Sequence, residues 1–241
     1  MTSTALVHEY AARLTDTLPR VRHSITKACA VVGRPPESVR LVAVTKGHPL
    51  AALEAARDAG LRDFGENRVA ELASKVEAFG SADVRWHMIG HIQRRKVPDL
   101  IGVVDLIHSL DSLRLAQRVS RVAEDRDRIV DVLVQINTSG EDAKGGLDAS
   151  EAREGVLEVA ALPGVTVRGL MTMAPFVDDE GILRSAFRAL REILADVRVV
   201  DPSVGDELSM GMTNDLRFAV EEGSTMVRIG TALFGARPGT G

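Results

Sequence analysis

Two spacings of apolar residues follow one another along the chain. From about Ala5 to Val32 apolar positions such as Leu14, Leu18 and Ile25 recur every three or four residues. This spacing predicts one or two amphipathic helices, which Gly33 and the prolines after it bring to an end. Beyond this point, short apolar runs alternate with helical patterns up to the end of the chain.

The short apolar runs are bounded by polar or glycine-containing turns and predict about eight strands. They are Leu41–Thr45, Arg62–Phe64, Val84–Ile89, Leu106–Ser109, Asp131–Asn137, Val167–Met173, Glu207–Met210 and Met226–Ile229. The segments between them are rich in Ala, Leu, Glu and Arg, which helices favour. Helices are predicted at Leu50–Ala59, Arg68–Phe79, Ile92–Ile101, Ser112–Glu124, Ser150–Ala161, Asp179–Ala195 and Asn214–Glu222.

This alternation is typical of an α/β protein whose parallel strands are covered by helices. Eight units in roughly 200 residues favour a closed (β/α)8 barrel over an open doubly wound sheet. An open sheet would need a glycine-rich dinucleotide-binding turn after its first strand, and the segment 45–49 has none. We therefore predict a single TIM barrel domain over residues 1–241, with N-terminal helices in residues 1–33 covering the barrel.

The composition narrows the possible partners. The chain is 45% hydrophobic and 27% charged, as in soluble globular proteins. Its net charge of −4 shows none of the excess positive charge that is typical of nucleic-acid-binding proteins. Cys29 is the single cysteine, and no Cys/His cluster has zinc-ligand spacing. Neither a signal peptide nor an apolar run of the ~18 residues that span a membrane is evident. We expect a cytoplasmic protein that binds no metal, membrane or nucleic acid.

Lys46 ends the first predicted strand and is the first candidate for chemistry. A charged amine on an apolar strand is costly to bury, so such a lysine pairs with an anion or stays neutral as a nucleophile toward a carbonyl. On residue type alone, a lysine that simply reaches solvent is the simpler interpretation. Barrel enzymes nevertheless place their chemistry at the C-terminal ends of strands, which is where Lys46 lies.

The ends of the last two strands predict an anion site. Gly211–Thr213 and Gly230–Thr231 each place small residues and a hydroxyl just before a helical pattern. Exposed backbone N–H groups at such a position bind anions, and these loops are the usual phosphate-binding region of the barrel. Thr213 also fits the N-cap of the following helix.

Strand alternation adds a second cation to the same region. If the first and last strands point these faces inward, Arg228 and Lys46 flank one mouth of the lumen. Two cations there require an anionic or electron-rich ligand between them. The alternative for Arg228 is an ion pair with Glu207 or Asp206. His87, within the third strand, is interpreted as a hydrogen-bonded core histidine rather than a catalytic group.

Seven segments, taken in order, resemble the motifs of a known family. They are Val42–Lys46, Phe64–Asn67, Trp86–Gly90 with Gln93 and Lys96, His108–Asp111, Gly169–Pro175, Leu208–Thr213 with Asp215, and Val227–Gly235. They are similar to the pyridoxal-phosphate homeostasis protein family, also called the YggS or proline synthase co-transcribed homologue family. The resemblance implies a barrel like the N-terminal domain of alanine racemase, with pyridoxal 5′-phosphate (PLP) at the strand C-termini.

The resemblance also implies a role for individual residues. Lys46 is expected to hold PLP as a Schiff base, the internal aldimine, and Arg228 to face the pyridine nitrogen. The other predicted cofactor-binding residues are Ser209, Gly230 and Thr231 at the phosphate, Asn67 near the ring, and Met210 and Thr213 in the adjoining loop. His91, Arg95 and Gly47 depart from the common family pattern, which leaves ligand or partner contacts at the pocket rim open.

Physical chemistry then limits the expected reaction. PLP acts as an electron sink, which is strongest when its ring nitrogen is protonated, and arginine at that nitrogen can only donate a hydrogen bond. A racemase also needs a second acid/base. In alanine racemases this is a tyrosine of a second domain, whereas the only tyrosine here, Tyr10, lies in the N-terminal helical segment.

We therefore predict a monomeric PLP-binding homeostasis protein that stores or delivers the cofactor, affects amino- and keto-acid balance, and has no catalytic residue. PLP-dependent apo-enzymes are candidate recipients. The alternatives are a weak PLP-dependent amino-acid racemase and a barrel lyase that acts on a phosphate-bearing substrate through Lys46.

Overall fold

The computed structural model describes residues 3–141 and 144–237, and over these residues the chain forms nine strands. The strands are β1 Arg40–Val44, β2 Asp63–Glu66, β3 Arg85–Met88, β4 Leu106–Leu110, β5 Val130–Asn137, β6 Leu147–Asp148, β7 Val165–Met171, β8 Glu207–Ser209 and β9 Met226–Ile229.

Helices connect most of these strands. They are α1 Ser3–Val31, α2 Leu50–Asp58, α3 Val69–Phe79, α4 Val97–Leu100, α5 Leu113–Glu124, α6 Ala152–Ala160, α7 Glu180–Val200, α8 Leu216–Glu221 and α9 Thr231–Phe234. Over the described ranges, none of the helices combines the length and the apolar character that crossing a membrane requires.

Eight of the strands form a closed parallel barrel. Each of them pairs in parallel with the next strand of the barrel, and β9 returns to β1, where Arg40 is opposite Met226. The two-residue β6 pairs only with the end of β5. Because parallel strands need crossover connections, the helices between them cover the outside. The predicted (β/α)8 barrel is confirmed.

The strand faces divide as the alternation predicts. Apolar side chains that fill the lumen form one cluster, consisting of Val42, Leu106, Leu133, Met171 and Met226. Their sequence neighbours on β1 and β9, such as Ala43 and Val227, pack outward against helices. Arg228, two residues after Met226, therefore points into the lumen.

The N-terminal segment is one helix rather than two. The 29 residues of α1 include Pro19 and continue past it. Its apolar stripe, which runs through Leu14, Leu18 and Ile25, is buried against α2, α8 and α9. The segment therefore lies against helices at both the start and the end of the barrel.

One predicted helix is wrong. Residues 92–101 form a 3-10 turn at Arg94–Lys96 followed by the four-residue α4. Pro98 has no N–H to donate to the preceding turn, which disfavours a helix that starts at residue 92, and Pro98 occupies an early position of α4 instead.

Candidate functional site

A cavity of about 320 Å³ opens at the C-terminal ends of the barrel strands. It lies above the lumen and is lined by loops that follow several of the strands. Six of the eight predicted cofactor-binding residues line it, namely Lys46, Asn67, Thr213, Arg228, Gly230 and Thr231. The fold thus brings together residues that are more than 180 positions apart in the sequence, as for Lys46 and Thr231.

Ser209 faces the lumen, where it contacts His108 and Arg228, whereas Met210 packs among the apolar side chains between the barrel and its helices. Both are completely buried, and neither belongs to the cavity wall. Ser209 pairs in register with Met226, two residues before Arg228. The phosphate contact that the resemblance implies for Ser209 stays a prediction.

The loop before α8 is closed by Asp215. Its Oδ1 accepts a hydrogen bond of 2.5 Å from the N–H of Met212, and α8 begins at the next residue, Leu216. The prediction that Thr213 caps this helix is wrong, because the helix starts later. Thr213 is exposed at the cavity instead. Burial raises the pKa of Asp215, and the N–H of Met212 and the charge of Arg228 oppose that rise.

Lys46 is half-buried at the end of β1. Burial lowers the pKa of its amine, and the positive charges of Arg237 and Arg228 lower it further. Its amine makes no hydrogen bond or ion pair to any residue in the described ranges. A larger share of Lys46 is therefore neutral than for an ordinary lysine, and the neutral amine is the form that attacks a carbonyl.

Buried side chains hold the backbone next to Lys46. Lys75 on α3 donates to the carbonyl oxygen of Thr45 at 2.8 Å and to Glu66 Oε1 at 2.7 Å. Glu66 Oε1 also accepts from the hydroxyl of Thr45 at 2.6 Å. Thr45 and Glu66 are completely buried, and Lys75 nearly so. The peptide that precedes Lys46 is thereby fixed.

The same network reaches the residue after Lys46. Glu71 Oε1 accepts from the backbone N–H of Gly47 at 2.6 Å and from Lys75 at 2.8 Å. Sequence reasoning missed Lys75 and Glu71, because a Glu and a Lys four positions apart on a helix are typical of an exposed surface pair.

Arg228 forms the inner wall of the cavity and is 5% exposed. Its Nη1 donates to Ser209 Oγ at 2.6 Å and its Nη2 to the carbonyl oxygen of Thr172 at 2.9 Å. Burial lowers its pKa to about 10, so the guanidinium stays charged at neutral pH. The alternative of an ion pair between Arg228 and Glu207 does not hold, because that carboxylate pairs with Arg40 at 3.3 Å.

His87 is a hydrogen-bonded core histidine, as predicted. It is 1% exposed and points into the lumen from β3. Its Nε2 lies 3.0 Å from Asp63 Oδ1, and its Nδ1 lies 2.8 Å from His108 Nε2. His108 Nδ1 in turn lies 2.8 Å from Ser209 Oγ.

Comparison of the sequence with known proteins shows the family of the chain. A sequence model of the alanine racemase N-terminal domain matches residues 17–238. A pyridoxal phosphate homeostasis protein from Aquifex aeolicus is 40% identical over 92% of this chain and 97% of its own length. The chain belongs to the pyridoxal phosphate homeostasis protein family.

Solved structures agree with this family assignment. A protein of unknown function from Bifidobacterium adolescentis superposes with a TM-score of 0.90 and 37% identity, over 94% of this chain and 96% of the other. PipY of Synechococcus elongatus, solved with PLP bound, has a TM-score of 0.77 and 36% identity, over 88% of this chain and all of PipY.

Two residues that depart from the common family pattern lie away from the cavity. His91 is exposed, and its Nδ1 lies 2.9 Å from Asp111 Oδ2. Arg95 donates from Nε to the side chain of Gln93 at 3.1 Å. Neither belongs to the described cavity wall, so in this member of the homeostasis family they are surface features.

Proposed function

We propose that this protein binds PLP in the cavity at the strand C-termini and serves intracellular PLP homeostasis by storing or delivering the cofactor. The observation that carries the proposal is the Lys46 amine, whose pKa is lowered and which faces a cavity shared with Arg228, Thr213 and Thr231. The PLP bound to the relative PipY supports the choice of cofactor.

The residues present fit the chemical groups of PLP. Lys46 supplies an amine for the aldehyde. The hydroxyls of Thr213 and Thr231 and the peptide at Gly230 supply donors for the phosphate. A Cβ at Gly230 would come within 3.2 Å of the Val44 carbonyl oxygen, so glycine leaves this corner open. The volume lies at the lower end of the usual range for small-molecule sites.

The wall around the ring favours holding the cofactor over activating it. Bound PLP supplies an electron sink, and a proton on its ring nitrogen strengthens that sink. Arg228 can only donate, and its bonds to Ser209 and Thr172 hold it in place. A donor placed at the ring nitrogen disfavours the proton there and weakens the sink.

A second acid/base of the kind used by alanine racemases is not placed at the cavity. Tyr10 is buried in α1, where its hydroxyl lies 2.9 Å from His48 Nδ1. Within the described ranges, the cavity wall includes no tyrosine, histidine or cysteine. This arrangement supports little or no catalytic turnover.

One observation favours the alternative of a weak amino-acid racemase. Lys144 also lines the cavity, and its amine donates to the carbonyl oxygen of Ala174. A second amine could exchange a proton with a bound amino acid. Assaying the purified protein with a panel of amino acids, beside a Lys144→Met variant, separates the two functions. Robust racemisation that Lys144→Met abolishes would establish the enzyme.

The proposed function is tested by reducing the purified protein with borohydride and mapping its peptides. A pyridoxyl group on Lys46 is the expected result, and an unmodified Lys46 refutes the proposal. A visible absorbance band in the protein as purified argues against a lyase that uses Lys46 on its own substrate.

We further propose a cytoplasmic monomer that can pass PLP to apo-enzymes. Light scattering on the eluting protein tests the monomer, and localisation of the tagged full chain tests the compartment. Transfer is tested by mixing the loaded protein with an apo-enzyme and a trap for free PLP. Recovery of enzyme activity despite the trap supports direct transfer, and its loss argues for release into solution.

A further inference from the structure

A continuous line of polar side chains crosses the barrel lumen from one end to the other. It starts at Asp63, the first residue of β2, and continues through His87 at 3.0 Å and His108 at 2.8 Å. It ends with Ser209, 2.8 Å from His108, and Arg228, 2.6 Å from Ser209. Arg228 lines the proposed cofactor cavity, whereas Asp63 lies in a surface cleft at the opposite end of the strands.

Burial makes this line unusual. Asp63 is 6% exposed and Arg228 is 5% exposed, and the three residues between them are at most 1% exposed. Barrel interiors are mostly filled by branched apolar side chains. Buried polar groups are costly unless each one is hydrogen-bonded. Every side chain of this line is bonded to its neighbours in it, so the line forms one satisfied network.

The two ends fix the direction of the hydrogen bonds. Arg228 can only donate. Asp63 is a carboxylate and can only accept. Burial would raise its pKa, but the hydrogen bond from His87 and the charges of Arg85 and Arg40 hold the pKa below its ordinary value. Donors therefore point from the cofactor cavity toward the far end of the barrel.

Complete burial holds the pKa of His108 well below its usual range, and the neighbouring His87 and the charges of Arg228 and Arg40 add to that effect. With neutral imidazoles, one arrangement satisfies every atom. Ser209 donates to Nδ1 of His108, His108 donates from Nε2 to His87, and His87 donates from Nε2 to Asp63.

A proton on both nitrogens of His87 would reverse the direction of the hydrogen bonds from His87 to His108 and from His108 to Ser209. His108 would then accept at Nε2 and donate from Nδ1, so that Ser209 Oγ would receive donors from His108 and Arg228 together. Within the described parts of the chain, the Ser209 hydroxyl would be left without an acceptor. Protonation of His87 would thus change the hydrogen bonding of the Ser209 hydroxyl, which holds Arg228.

We propose that Asp63, His87, His108 and Ser209 are positioning residues for Arg228, which couple the charge at one end of the barrel to the guanidinium at the cofactor. The proposal rests on the proposed function, because it needs the pyridine nitrogen beside Arg228. It assigns a role in the cofactor site to Asp63, which lies at the far end of the barrel.

Other charges bound this line at both ends. Arg85 lies 3.0 Å and Arg40 3.8 Å from Asp63 Oδ1, so both cations favour its ionised form. On the cavity side, Asp215 and Lys46 are the charged groups that interact with Arg228. Between these two sets, Asp63 and the two histidines are the members of the line that can exchange a proton.

The first test reads the tautomers directly. Histidines labelled with ¹⁵N are observed by NMR in the PLP-loaded wild-type protein and assigned with single-site variants. We expect His87 and His108 both to carry their proton on Nε2 at neutral pH, with Nδ1 unprotonated. A proton on Nδ1 of His108 would overturn the proposal without any mutation of the line.

The second test is Asp63→Asn, which removes the charge at the far end with almost no change in volume. We expect the dissociation constant for PLP to rise about 3-fold to 10-fold, the range that one hydrogen bond gives. The pH profile of the bound cofactor's absorbance should shift as well. Ser209→Ala should act in the same direction.

Glu207→Gln is the matched control. Glu207 lies at the same end of the barrel and also pairs with Arg40, but it does not touch the line. Unchanged affinity and pH profile in Asp63→Asn, or equal changes in Glu207→Gln, would overturn the coupling while leaving PLP binding intact. A wild-type protein that captures no PLP would overturn the proposed function as well.

Discussion

Lys75 donates a 2.8 Å hydrogen bond to the carbonyl oxygen of Thr45, so a buried ammonium group on α3 fixes the peptide that precedes the candidate cofactor lysine. Lys75 also bonds Glu66 and Glu71, and Glu71 holds the N–H of Gly47. The position of Lys46 therefore depends on a network that does not itself line the cavity.

Lys75→Met should strongly destabilise the protein. It leaves the completely buried Glu66 without its cation, and breaking a buried ion pair costs about 3–5 kcal/mol. Urea unfolding measures the change. Lys96→Met is the control, because Lys96 and Asp99 form an exposed pair worth less than about 1 kcal/mol. Equal losses in the two variants would contradict a structural role for the network.

Arg237→Gln should slow capture at neutral pH. The charge of Arg237 helps to lower the pKa of Lys46, so its removal raises that pKa and reduces the neutral fraction of the amine. The rate of pyridoxal capture, followed by absorbance, should then level off at a higher pH than in the wild type. Pyridoxal is used because it has no phosphate for Arg237 to attract.

Arg217→Gln is the control for this experiment. Arg217 is exposed and pairs with Glu221 on α8. Its removal should leave the pH profile of pyridoxal capture unchanged. A profile that moves equally in both variants would show that general surface charge, rather than the neighbour of Lys46, sets its reactivity.

Thr231→Val should weaken the binding of PLP but not of pyridoxal. If the hydroxyl donates to the phosphate, its loss costs roughly 10-fold in affinity, because hydrogen bonds to charged groups are stronger than neutral ones. Equilibrium titration of both compounds measures the difference. Thr213→Val should behave in the same way. Loss of affinity for pyridoxal as well would place these hydroxyls elsewhere than at the phosphate.

Gly211→Ala should disturb the loop before α8. Gly211 has a φ of +97°, and a Cβ there would lie 2.6 Å from the Cβ of Ala219. Both strain and a clash are added, so we expect a loss of at least about 2 kcal/mol in the free energy of unfolding. Gly33→Ala is the control, because Gly33 also has a positive φ, +67°, but has open space around it. It should lower the free energy of unfolding by only about 1 kcal/mol.

The barrel follows from the sequence because strands buried on both faces and alternating with helices leave a clear pattern. Alternation also places Lys46 and Arg228 on inward faces. Alternation does not show how deep an inward-facing side chain lies along the barrel axis. Ser209 faces inward as well but does not line the cavity, and which inward residues reach the cavity depends on the register with the partner strands.

Other features escape the sequence because they join distant elements. Nothing along α3 distinguishes Lys75 from a solvated lysine until β2 brings Glu66 against it. The line of polar side chains from Asp63 to Arg228 cannot be read from the sequence either, since its members come from five different strands. The sequence did contain a signal for the short α4, because Pro98 stands in the middle of the predicted helix.

The packing of α1 has a consequence for the order in which the chain folds. α1 lies against α2 at the beginning of the barrel and against α8 and α9 at its end. It thus covers the seam between β1 and β9, where paired residues are 186 positions apart. Such distant pairing forms slowly, and a chain folding during synthesis cannot complete it until β9 has emerged. The part of the α1 apolar stripe that packs against α8 and α9 therefore stays uncovered, and accessible to chaperones, until those helices have been synthesised.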